Sequence, residues 1–121
     1  MIIGIIPTHT HYDHFGGIRE LAAATGLVYT TPSSTSTVQS ILSAEHSLVP
    51  DALSSSARTV SVVEIDDILI LDNGKVEIHN VTSIEGGSNP HADDMLIVYM
   101  PELQLILQAD LFNAGGLLAL F

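Results

Sequence analysis

The chain has no cysteine and only three basic side chains, Arg19, Arg58 and Lys75, against fourteen acids, for a formal net charge of −11. Without cysteine there is neither a disulfide framework nor a thiolate metal ligand, and the redox compartment stays open. Nucleic acid is bound by neutralising phosphates with clustered lysine and arginine. No such cluster exists here, which argues against a nucleic-acid partner. The acidic balance describes a solvated surface. No membrane-spanning apolar run and no signal peptide is visible, so no membrane partner is expected. Localisation stays open between cytoplasmic, periplasmic and secreted, because the native N-terminus could lie upstream of Met1. What is present is 121 residues, 46% of them hydrophobic, enough to build the core of one domain.

Against this background one stretch stands out. Thr8-His9-Thr10-His11-Tyr12-Asp13-His14-Phe15-Gly16-Gly17 places three of the six histidines and an aspartate inside six consecutive positions. Imidazole with carboxylate is the ligand set of zinc, iron and related ions, whereas a chance histidine-rich loop would leave several polar groups seeking partners. Ile2-Ile3-Gly4-Ile5-Ile6 reads as a short buried strand, and Pro7 marks where it leaves the sheet. If the backbone stays extended past Pro7, alternation points His9 and His11 the same way, at one ion. Asp13 and His14 follow the start of a turn and face a neighbouring second ion. Gly16-Gly17 then permits a tight turn into a helix.

These residues resemble the metal-binding signature of the metallo-β-lactamase fold superfamily of hydrolases. The resemblance extends through Ile18-Arg19-Glu20, His91 with the following DDMLIVYMP, and LILQADLF near the end. It implies a four-layer αβ/βα sandwich of α/β class. It also implies that His9, His11 and His91 hold one metal, that Asp13 and His14 hold a second, and that Asp110 bridges both. The family pattern closes with one more histidine downstream, which this sequence does not contain. Residues 1–121 are therefore expected to form a single, incomplete domain of this type, a central fragment.

Elsewhere the chain reads by local rules. Ile18, Leu21 and Ala22 recur at helical spacing with Arg19 and Glu20 on the opposite side, and Gly26 is placed to end that helix. The helix's N-terminus follows the histidine cluster, where its dipole favours an anion. Leu27 to Thr30 reads as a strand. Thr31-Pro32 is placed to start a second helix carrying Val38, Ile41 and Leu42. Residues 43–59 lack periodicity and read as a surface excursion. Val60 to Ile65, Ile68 to Leu71 and Lys75 to Val81 are strand-like, with Asp72-Asn73-Gly74 as a hairpin turn. His79 shares a polar face with Glu77, and His46 has no partner motif, so both read as bystanders.

His91 differs from those two. It follows the turn-forming Gly86-Gly87-Ser88-Asn89-Pro90 and precedes an apolar strand, Met95 to Met100, so it can be carried into a cleft at a sheet end. Asp93 and Asp94 could orient it from behind. Met95 to Met100 and Leu103 to Ala109 form a second hairpin whose apolar runs suggest cover on both faces. Asp110 ends that hairpin. A carboxylate there is expensive to bury without a cation, although a strand-end aspartate can also cap a turn. Leu117 to Phe121 is a bare apolar end.

The expected chemistry is metal-dependent hydrolysis of a small-molecule ester, thioester, lactone, lactam or similar bond by metal-bound hydroxide. Asp13 is the candidate catalytic group, helping to orient the nucleophile. Two divalent ions are expected, with zinc first for an imidazole-rich set; iron and manganese suit the same donors. The alternative is a truncated, non-catalytic metal-binding module. Substrate and oligomeric state are not readable from the residues.

Overall fold

The computed structural model describes residues 2–84 and 87–112. Its elements run α1 (Tyr12–Phe15), α2 (Ile18–Thr25), β1 (Leu27–Thr30), α3 (Thr35–Ser43), β2 (Ser61–Glu64), β3 (Ile68–Leu71), β4 (Val76–Asn80), β5 (Ser83–Ile84), β6 (Gly87–Ser88), β7 (Leu96–Met100) and β8 (Leu105–Leu107). β1 and β2 pair in parallel, Leu27 opposite Ser61. The α3 crossover connects them, as parallel strands require. A four-stranded antiparallel sheet has the order β3-β4-β7-β8, and β5 pairs with β6.

Strand alternation sorts the side chains into two cores. Val28 of β1 is fully buried beneath Phe15, Ile18 and Ala22, with Val38 of α3 closing the cluster. Its neighbour Tyr29 faces the other way and packs with Ile6 against Ile65, Ile78 and Leu96 of the second core. Each fully buried valine, isoleucine or leucine contributes about 1.5–3 kcal/mol. Helices, a parallel pair and an antiparallel sheet thus stack as layers of an αβ/βα sandwich. Gly26 ends α2 in the left-handed region, φ 74°, as its position foretells. Asp72 and Asn73 are also left-handed in the β3–β4 turn.

Several expectations are corrected. Ile2 and Ile3 are exposed, and only Ile5 bridges β1, through its N–H to the Leu27 carbonyl and the Tyr29 N–H to its own carbonyl. Among the described residues that segment makes a single bridge, Ile5 to Val28, rather than a ladder, so it forms no strand. α3 begins at Thr35 behind Ser34, not at Pro32. The hydroxyls of Thr30 and Thr31 each bond the Ser34 hydroxyl in the interior, which spends Thr31 on a turn first. Arg19 points inward instead of to solvent and is buried. β8 is an edge strand with Leu105, Ile106 and Leu107 half exposed, because no described element covers it. Gly16 and Gly17 have ordinary negative φ. Gly16 is needed for closeness, since a Cβ there would lie 2.8 Å from the Tyr12 carbonyl oxygen. Gly86 and the apolar end Leu117 to Phe121 lie outside the described residues.

Ser43 still belongs to α3 and Val60 precedes β2, while residues 44–59 form turns and irregular backbone, as expected. With α3 they border a groove of about 970 Å³ lined by Ser40, His46, Leu53, Arg58 and Val62 among others. None of the six candidate ligands lines it. No helix of the described residues is long and apolar enough to cross a membrane.

Candidate metal centre

Three separate segments deliver the candidate ligands to one place. His9 lies just before α1, and His11 is its N-cap, extended at φ −64° and ψ 142°. The His14 and Phe15 N–H groups both donate to the His11 carbonyl, which turns the chain at once, and buried Phe15 anchors the turn. His91 sits on the loop between β6 and β7. Its N–H donates to Asn89 Oδ1 at 2.9 Å, an Asx turn held by a buried asparagine. Asp110 follows β8 with φ 63°, a left-handed conformation that aspartate tolerates better than most residues. Gln108 secures that turn: its Oε1 accepts the Leu111 N–H at 2.9 Å and its Nε2 donates to the Phe112 carbonyl at 2.8 Å.

His9 is the centre of the cluster. Only 1% of its surface is exposed. Its Nε2 lies 3.1 Å from His11 Nδ1, 3.2 Å from His91 Nε2 and 3.7 Å from Asp110 Oδ2. Asp110 Oδ2 is also 2.7 Å from His14 Nε2 and 3.5 Å from His91 Nε2, so one carboxylate oxygen faces three imidazoles. Two groups of converging donor atoms result, His9-His11-His91 and His9-His14-Asp110. Asp13 belongs to neither; its side chain is 78% exposed, with Oδ2 3.3 Å from His14 Nε2. The resemblance makes Asp110 the ligand shared between the two sets; among the described residues the two donor groups share His9 instead, and Asp110 belongs to one of them.

The donors fit a metal. Nitrogens at about 2.0–2.1 Å from a tetrahedral ion lie about 3.3–3.4 Å apart. The separations of 3.1 and 3.2 Å from His9 Nε2 are close to that edge length. His9 Nδ1 lies 3.1 Å from Thr8 Oγ1, and with a metal on Nε2 it would carry the proton and donate to that hydroxyl. Burial lowers the His9 pKa below its ordinary 6.5, and the neighbouring His11, His14 and His91 lower it further against the pull of Asp110. The folded state thereby favours the neutral imidazole that a metal requires.

This shift has a pH consequence for the metal-free chain. Unfolded His9 takes up a proton near 6.5, while folded His9 takes one up only at lower pH, so stability rises with pH across that interval and is lost as pH falls through it. The expected result is a falling Tm between about pH 7.5 and 5.5, flattened in His9→Gln. Equal slopes in the two proteins would show that His9 is not held neutral.

The bystanders are elsewhere. His79 Nε2 bonds Glu77 Oε2 at 2.9 Å, and His46 Nδ1 lies 3.6 Å from Asp51 Oδ2. Among the described residues Asp94 makes no hydrogen bond to His91; its Oδ2 accepts the Thr10 N–H at 2.9 Å. Asp93 contributes only its carbonyl among the described contacts, to the Ser33 hydroxyl at 2.8 Å. The roles of Asp94 and Gln108 escape sequence reasoning. Asn89, beside Pro90 and two residues before His91, was open to recognition as an Asx turn.

No curated protein sequence matches the chain. The crystal structure of the DIM-1 metallo-β-lactamase is similar, with a TM-score of 0.56 at 17% identity over 86% of this chain. The chain spans 39% of that protein's length. At this identity the likeness concerns the fold. The family model of the metallo-β-lactamase superfamily matches residues 1–119, which takes in His9 through His14, His91 and Asp110. By that match, and with the layered fold to go with it, the chain belongs to the metallo-β-lactamase superfamily.

Proposed function

We propose that this chain carries the metal centre of a hydrolase acting on a small molecule through an ester, thioester, lactone, lactam or similar bond. The observation that carries the reading is Asp110 Oδ2, set among His9, His14 and His91 from three distant segments. A bound divalent ion supplies a water of lowered pKa and a Lewis acid for the substrate's carbonyl oxygen. His9, His11 and His91 would hold one ion; His14 and Asp110, with Asp13 beside them, would hold the second. Zinc suits the imidazoles best, and iron or manganese suit the same set with a carboxylate. Asp13, exposed with Oδ2 3.3 Å from His14 Nε2, would help to orient the nucleophile. Thr8 holds the ring of His9.

The test is hydrolysis by the purified chain, loaded with each metal in turn, of a chromogenic ester, a thioester, a lactone and a β-lactam. Activity on one of these, lost about 100-fold or more in Asp110→Asn, supports the reading. Metal bound without turnover of any of the four would favour the non-catalytic metal-binding module instead.

A further inference from the structure

Asp94 is 6% exposed, and its carboxylate Oδ2 accepts the backbone N–H of Thr10 at 2.9 Å. Thr10 is the residue between His9 and His11. Two positions away on either side, the Leu96 N–H donates to the Thr8 carbonyl at 2.7 Å. The segment that follows His91 therefore runs beside the segment that holds His9 and His11, joined to it at two points. We propose that Asp94 is a positioning residue of the metal centre, its carboxylate fixing the His9-Thr10-His11 backbone against the His91 loop. The inference rests on the metal-site reading given above.

The physical case has three parts. A buried carboxylate is costly unless it is paired, and the Thr10 amide is the hydrogen-bond partner found for it among the described residues. A bond from amide to carboxylate is charge-assisted, so it holds position better than a neutral one. The peptide it grips joins His9 to Thr10 and so fixes the chain between the two histidines, whose nitrogens His9 Nε2 and His11 Nδ1 are 3.1 Å apart. A slip of about 1 Å at Thr10 would carry that pair away from the edge length of a tetrahedral site. The opposite end of the loop is held separately by the His91 N–H to Asn89, and the Asp93 carbonyl beside Asp94 accepts the Ser33 hydroxyl. Asp94 is the link that reaches the histidine pair.

The experiment titrates Co²⁺ into the wild-type chain, His11→Ala, Asp94→Asn, Asp94→Ser and Asp94→Ala, following the visible absorption of the ion, with the Tm of each metal-free protein measured beside it. An asparagine oxygen can still accept the Thr10 N–H, whereas alanine has no acceptor and the serine hydroxyl is too short to reach. Asp94→Asn is expected within about threefold of wild type with an unchanged spectrum, and Asp94→Ala about 10- to 100-fold weaker with an altered one. Unchanged affinity and spectrum in Asp94→Ala would overturn the proposal, even if its Tm falls. A loss in Asp94→Asn equal to that in Asp94→Ala would also overturn it, by placing the role on charge. If Asp94→Ala does not fold, Asp94→Ser is read in its place; failure of both to fold makes Asp94 a folding residue and removes the positioning role. A wild-type chain that takes up no Co²⁺, or takes it up as well after His11→Ala, would remove the metal-site reading itself and the inference with it.

Discussion

His9→Ala should abolish tight metal binding by this chain, and it should do so more completely than His11→Ala, His14→Ala or His91→Ala. Each of those three imidazoles belongs to one group of converging donors, while His9 belongs to both. Structural zinc sites are worth about 10–16 kcal/mol, roughly 3 kcal/mol per ligand for four ligands, so removing one costs about 100-fold or more in affinity. Loss of His9 subtracts a donor from each group at once. It also leaves a cavity inside the cluster, since the ring is buried. His46→Ala and His79→Ala should leave metal content unchanged, because their nearest carboxylates are Asp51 and Glu77 and neither lies in a donor group. Metal per chain, measured by elemental analysis after loading with zinc, iron or manganese, decides the matter. Equal losses from His9→Ala and His46→Ala would overturn the ligand assignment. A smaller loss from His9→Ala than from His11→Ala would overturn the shared role of His9.

Arg19→Ala should cost the fold more than any other single change outside the hydrophobic cores. A guanidinium has five N–H donors, and all of those on Arg19 are engaged. Nε and Nη2 hold the two Asp51 oxygens, Nη2 also donates to Ser54 Oγ, and Nη1 donates to the carbonyls of Ile41 and Leu42 at 2.7 and 2.8 Å. One side chain of α2 thus ties down the last turn of α3 and the irregular segment after it. Truncation would leave carbonyls near a helix end, and the Asp51 carboxylate, without their donor. The hydrogen bond from Arg19 holds the Asp51 carboxyl well below the usual carboxylate range, with the Ser54 N–H adding to the effect. Its contribution is therefore present above the ordinary aspartate value of 3.8 and is lost as pH falls below it. The expected fall in Tm at neutral pH is more than about 5 °C. Arg19→Lys should recover less than half of it, because an ammonium cannot serve a planar fork of acceptors. A Tm within about 1 °C of wild type in Arg19→Ala would show that the network adds nothing to stability.

Local rules recovered those parts of the molecule whose partners are near in the chain. Gly26 closes α2 because a left-handed residue is needed there, and Leu27 to Thr30 is a strand with the bounds its composition suggests. Asp72-Asn73-Gly74 turns β3 into β4 for the same kind of reason. Of the six candidate ligands, four come from one short motif and two from the resemblance that extends from it, and all but Asp13 fall in the converging donor groups. Their residue types alone name the chemistry, since imidazole and carboxylate offer a metal the donors it binds.

Only the tertiary structure decided how those donors share the centre and what holds them. Helical spacing puts Arg19 on the polar side of α2, yet Asp51 and two α3 carbonyls draw it inward. An aspartate near His91 suggests a partner for that ring, yet Asp94 spends its carboxylate on Thr10, 84 residues away. His9 and His11 look equivalent by alternation, and only the arrival of Asp110 and His14 on one side of His9 makes it the shared member. The physical reason is the same in each case: a residue's type and period specify what it can bond and which way it leaves the backbone. Which group waits there depends on how distant segments pack.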